Sequence, residues 1–190
     1  MALMIVGILL FWMAHALKIH APAKRIALAR SMGDGPVKGL VAVALLGSVA
    51  LMSVGYQQAD FTSVWSPPDW TRHINNLLMI IAIACFTAGG IKSKLADKIR
   101  HPQLAGVKVW AFAHLLVNGD LASIILFGAL LAWAVITMIA LNKRDGKPPM
   151  VRQGTILRTL AHVVVTLLVF GAVAWVHMYL GVSPFPVSSA

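Results

Sequence analysis

The chain has 190 residues, 59% of them hydrophobic and 12% charged, with a formal net charge of +10 and a mean hydropathy of +0.82. A soluble domain of this size could not bury so much apolar surface in one core, whereas a bilayer accommodates it. All six acidic residues are Asp, and the single cysteine, Cys85, lies inside an apolar run, which excludes paired glutamates, a disulfide framework and a thiolate metal site.

Membrane-crossing helices need about 17 to 25 mostly apolar residues. The first candidate is Ala2–Leu17. Ala14-His15-Ala16 has the small-x-small form of a signal-peptide cleavage site, but no basic residue precedes the apolar stretch, so the run is read as a retained helix. Lys18, Lys24, Arg25, Arg30 and Lys38 follow, and then a second run, Gly39–Tyr56. The loop after it carries Trp65, Pro67, Pro68 and Trp70, the composition of a stiff connection resting at lipid headgroups. Ile74–Ile91 is the third run, with Gly89-Gly90 as its expected stop. Lys92, Lys94, Lys98, Arg100 and Lys108 surround the start of a shorter run, Leu104–Val117. Asn118-Gly119-Asp120 reads as a tight turn, Gly119 taking a left-handed conformation and Asp120 capping the next helix. Leu121–Leu141 comes next, stopped by Gly146-Lys147-Pro148-Pro149, and a third basic group (Lys143, Arg144, Lys147, Arg152, Arg158) leads into Thr155–Leu180. The remaining tail, Gly181–Ala190, is uncharged and expected to be loose.

The short run rises only roughly 21 Å against a hydrocarbon core of about 30 Å. Charge parity decides that it crosses. Only Arg72 of the sixteen Lys and Arg residues lies outside the three basic groups. Basic loops face the cytoplasm, and the three groups share one side only if the short run spans. The expectation is therefore an all-α, polytopic bundle of six transmembrane helices, a single domain over residues 1–190 without internal repeats. It lies in a bacterial inner membrane with N- and C-termini periplasmic. The same topology accounts for the basic loops, which lack interleaved aromatics, so nucleic acid is not a partner.

No phosphate-binding loop, dinucleotide fingerprint or nucleophile elbow occurs. The informative residues are the histidines, because polar groups at membrane depth are costly and mark sites or interhelical pairs. Counting inward from the nearest basic residue at 1.5 Å per residue puts His15 roughly 5 Å, His114 roughly 9 Å and His162 roughly 6 Å inside, one layer of the cytoplasmic half. His73 and His177 belong to the outer face, where a loose metal site between them is conceivable, and His20 and His101 to the inner boundary. Two histidines at like depth on different helices can clamp a haem iron, since neutral imidazole is a good axial ligand and bundle walls accept the flat porphyrin. Trp12 and Phe11 adjoin His15, and Trp110 lies one turn before His114. Thr155, Thr159, His162 and Thr166 form a polar stripe on the last helix, with Arg158 beside it as a partner for a haem propionate. The simpler alternative is that each histidine only bridges helices by hydrogen bonds.

Arg100-His101-Pro102-Gln103 and Trp110-Ala111-Phe112-Ala113-His114-Leu115-Leu116-Val117-Asn118-Gly119 resemble the signature of the NnrU family. Ala14-His15-Ala16-Leu17, His177 and Leu180-Gly181 fit it too, so the resemblance covers essentially the whole chain. The family is named for genes near those of nitrite and nitric oxide reduction in denitrifying bacteria. It is similar to plant 15-cis-zeta-carotene isomerase, which binds haem b through two histidines. The resemblance implies haem b with His15 and His114 as axial ligands; Trp12, Trp110, Arg158 and His162 are the neighbours that the residue pattern itself sets around it. Ala111 departs from the isomerase, which has a cysteine at that position, so isomerase activity need not carry over. Three functions follow as expectations. The first is a haem b protein of denitrification, nitric oxide or redox physiology, with denitrification or respiratory membrane proteins as partners. The second is a redox-gated isomerase of a lipid-soluble polyene, and the third a haem-free assembly or transport factor.

Overall fold

The computed structural model describes residues 1–19, 21–146 and 153–185. His20, the Lys147-Pro148-Pro149 part of the expected helix stop, Arg152 and the tail from Pro186 onward lie outside them. Seven helices make up the chain among the described residues: α1 (Ala2–Ile19), α2 (Pro22–Met32), α3 (Asp34–Gln57), α4 (Thr71–Ile91), α5 (Pro102–Val117), α6 (Leu121–Asp145) and α7 (Ile156–Tyr179). Among the described residues, the only β feature is an isolated bridge between Ser63 and Asp120. The protein is an all-α, multi-pass membrane protein. α3, α4, α6 and α7 are each long and apolar enough to cross a bilayer, and α1 with α2 forms a fifth candidate bent by 83°. The sixth expected span, α5, has 16 residues, about 24 Å of helix.

Polar contacts gather the loops at two ends of the bundle. At one end the amino group of Met1 donates to Gly55 O, Val64 N and Trp65 N donate to Gly119 O, Leu121 N donates to Thr62 O, and Arg72 reaches Ser183 O. This end is nearly free of Lys and Arg. At the other, Arg25 pairs with Asp34 at 3.1 Å and Lys38 with Asp34 at 2.6 Å. There too Arg100 donates to Gly146 O, and Asp97 accepts from Gln153 N and Gly154 N at 2.9 Å each. α5 starts at this basic end, where His101 Nε2 meets Asn142 Oδ1 at 3.2 Å, and finishes at the neutral one beside Trp65. The short helix thus connects the two ends, an arrangement compatible with the sixth span.

The helices form an arc in the order α3, α1, α6, α5, α4, α7, with α2 beside α1 and α3. Between helices in lipid, close packing and hydrogen bonds replace the hydrophobic effect, so small residues mark the tight seams. Ala82, Ala88, Gly106, Ala111 and Ala113 are buried on α4 and α5. A side chain at Gly55 would collide with the backbone of Met4, which lets α1 and α3 touch. Met4, Ile8, Met52, Ala122 and Leu130 fill the core between α1, α3 and α6, flanked by Trp12, Tyr56 and Trp110. Outward, Leu40, Val43 and Leu46 on α3 and Leu157, Leu160 and Leu168 on α7 remain exposed, the surface a bilayer covers.

Three local expectations change. The basic stretch after α1 is a helix, α2, entered through Pro22 at its first turn and with no buried residue. α4 runs through Gly89-Gly90 to Ile91 and stops only where Lys92 turns left-handed at φ 54°. Gly119 is not left-handed; it is glycine because a Cβ there would strike the Trp65 carbonyl. Asp120 caps α6 as expected, accepting from Ser123 N at 2.9 Å.

Candidate functional site

α6 carries the scaffold of the site. His15 of α1 packs on Phe11 and Trp133, with ring centroids 4.3 and 4.5 Å away, and Nδ1 lies 3.0 Å from Phe11 O. His114 of α5 packs on Trp110 and Phe127 at 5.1 and 4.6 Å, with Nδ1 2.9 Å from Trp110 O. Both rings are half-buried. The local geometry is the same in each. The side chain folds back over the preceding turn, and Nδ1 donates to the carbonyl four residues earlier, because a carbonyl only accepts. In the neutral ring this fixes the tautomer and leaves the lone pair at Nε2, the atom that would bind a metal. Trp12 stands next to the His15 turn with its Nε1 buried and without a hydrogen-bond partner among the described residues. An orphaned donor of that kind suits an acceptor-bearing guest.

The expected single layer of histidines does not hold. Phe127 and Trp133, the α6 residues that receive the two rings, are six residues apart, about 9 Å along the axis. The depth count from Lys108 misleads, because this lysine stands half-buried inside α5, with Nζ 3.4 Å from Met138 Sδ. A long alkyl stem lets the backbone of a lysine sit well inside the bilayer edge while its ammonium reaches back toward water. His114 consequently lies toward the neutral end, against Phe127 in the first half of α6, while His15 lies at mid-height, against Trp133 at the centre of α6.

His162 is placed differently from both. It is 4% exposed, and its Nε2 lies 2.9 Å from Ala84 O and 3.0 Å from Thr87 Oγ1. That nitrogen must donate to the Ala84 carbonyl, so His162 clasps α7 to α4. Thr166 donates to His162 O at 2.7 Å and lies 3.5 Å from Thr87 Oγ1, and Thr159 accepts from Lys94 N at 3.3 Å, so the stripe from Thr159 to Thr166 faces α4 and the turn after it. Arg158 is exposed and turned to its own loop, donating to Gln153 O at 2.9 Å, and its backbone N–H is capped by Thr155. Among the described residues α7 packs on α4 alone, so His162 and Arg158 lie across α4 from His15.

His177, to which no role was attached, repeats the His114 arrangement, its Nδ1 lying 2.8 Å from Val173 O. His73 is exposed at the neutral end. No cluster of three or more His, Cys or Asp residues able to hold a bare metal ion occurs among the described residues.

Comparison with known proteins returns one family: the sequence model described as NnrU protein matches residues 3–184. No protein of curated function and no solved structure matches the chain.

Proposed function

The chain belongs to the NnrU family, and on that premise we propose that it is a haem b protein of the bacterial inner membrane. It serves nitric oxide or redox physiology in support of denitrification. The carrying observation is the pair of imidazoles, His15 and His114. Each is tethered through Nδ1 to its own helix and set against an aromatic residue of α6. Tethered Nδ1 atoms raise ligand basicity and orient the ring, the usual condition of an axial histidine. His15 and His114, whose α6 neighbours are offset by about 9 Å along the helix axis, would have to close on the group from two heights, with Trp12 and Trp110 along its edge and the Trp12 N–H available to an acceptor on it. Bound haem supplies one-electron exchange at iron. The chain's own residues supply an apolar, water-poor wall and fix the two imidazole tautomers. The isomerase reading gains nothing from position 111, where a fully buried alanine stands.

The positive-inside rule sets the basic end in the cytoplasm and both termini in the periplasm, with six spans including α5. A periplasm-active reporter fused after Ala190 should give signal and a cytoplasm-active one should be silent. The decisive experiment for the cofactor is the visible spectrum of the purified protein, oxidised and then reduced with dithionite. Sharp reduced-state bands of six-coordinate haem b are expected, and a colourless protein from iron-replete cells would end the haem reading.

A further inference from the structure

Between α4 and α7 lies a cavity of about 240 Å³, bordered by Ile80, Ala84, Thr159, His162, Val163 and Leu167. Val163 and Leu167 are more than half exposed on the lipid side of α7, so the mouth opens toward the bilayer. The volume falls near the small end of ligand pockets, enough for one six-membered ring whose chain stays in lipid.

The hydrogen-bond inventory around this cavity is one-sided. Thr87 Oγ1 donates to Ile83 O at 2.8 Å, Thr159 Oγ1 to Thr155 O at 2.8 Å and Thr166 Oγ1 to His162 O at 2.7 Å. His162 Nε2 donates to Ala84 O. The hydroxyls and ring N–H that border the cavity, those of Thr159, Thr166 and His162, are therefore spent inside the protein. The neutral His162 ring still holds a lone pair, at Nδ1. His162 is 4% exposed, and both of its ring contacts run through Nε2, to Ala84 O and Thr87 Oγ1. His162 borders the cavity, and Nδ1 is the ring nitrogen left for an occupant. A site that accepts and cannot donate selects a hydroxyl donor and rejects a molecule that only accepts.

We propose that the α4–α7 cavity binds the ring of a lipid-soluble phenol or quinol, whose hydroxyl donates to His162 Nδ1. The site prefers the hydroxylated form over the corresponding ether or oxidised quinone, and it is separate from the His15 and His114 site, from which α4 divides it.

The test places the full-length protein in nanodiscs and compares retention of 4-nonylphenol with that of 4-nonylanisole, using empty nanodiscs to subtract lipid partition. These probes differ by the donor hydrogen and one methyl group, and neither needs haem for its readout. The phenol should bind about tenfold more tightly, the yield of one hydrogen bond. His162→Phe should erase that preference. Val163→Trp, a change on the lipid-facing rim, should fill the cavity and weaken both probes. Equal retention of the two probes by the unaltered protein, or undiminished binding to Val163→Trp, would overturn the proposal whether or not haem is bound.

Discussion

The α1–α6–α5 seam and the α4–α7 seam each carry histidine at membrane depth, and they use opposite nitrogens. On the first, Nδ1 bonds the residue's own helix and Nε2 keeps the ring lone pair, as at His114. On the second, Nε2 of His162 crosses to the neighbouring helix and Nδ1 keeps it. The contrast separates two tasks. A ring tied to its own helix carries its lone pair outward and can meet a metal. A ring tied to another helix fastens that helix and has its outer nitrogen occupied. Histidine content alone would give the two seams the same meaning.

The sharpest way to break the comparison is to exchange the expected losses. His114→Ala should reduce haem per protein by more than about tenfold, the least expected from losing a ligand when its supporting bonds alone carry 10–100-fold. His162→Phe should leave haem content and the six-coordinate spectrum in place. A haemless His162 variant beside a haem-replete His114 variant would reverse the assignment. Haem quantified as the pyridine complex, on fractions monodisperse by size exclusion, decides it.

The seams also differ in how closely their backbones approach. Gly55→Leu would drive a side chain into the Met4 backbone and should cost about 1–3 kcal/mol or more, read as a lowered thermal midpoint in detergent. Gly171→Leu on α7 meets open space and should leave the midpoint unchanged. Equal effects would mean that α7 is as tightly seated as α1.

At the basic end, Asp97→Ala removes the acceptor of two backbone N–H groups, Gln153 and Gly154. A loss of about 1–3 kcal/mol is expected. Faster proteolysis between α6 and α7 should accompany it, with haem content unchanged. The smallest effect belongs to the clasp itself. His162→Phe should lower stability by about 0.6 kcal/mol and by no more than about 1.7, the range of interhelical hydrogen bonds in membranes. A larger drop would make the α4–α7 seam a structural keystone.

Composition and charge order settled the class of this protein. So much apolar sequence leaves a bilayer as the only adequate solvent. Three basic groups at alternate loops require α5 to connect the two ends, and the structure runs it between them. The polar stripe of α7 and the Asp120 cap were equally legible, because both depend on residues within a turn or two of each other. Helix α2 was not legible: polar and apolar residues alternate there without a buried face to set a period. Gly119 was misread for a related reason, its partner Trp65 being far away in the chain. Tertiary structure alone decided the heights of the histidines. Depth counted from a lysine assumes that its backbone marks the bilayer edge, and Lys108 breaks that assumption by reaching Met138 from within the bundle. It also decided which nitrogen each imidazole exposes, since that depends on whether the nearest carbonyl belongs to the same helix, as at Trp110, or to a neighbour, as at Ala84.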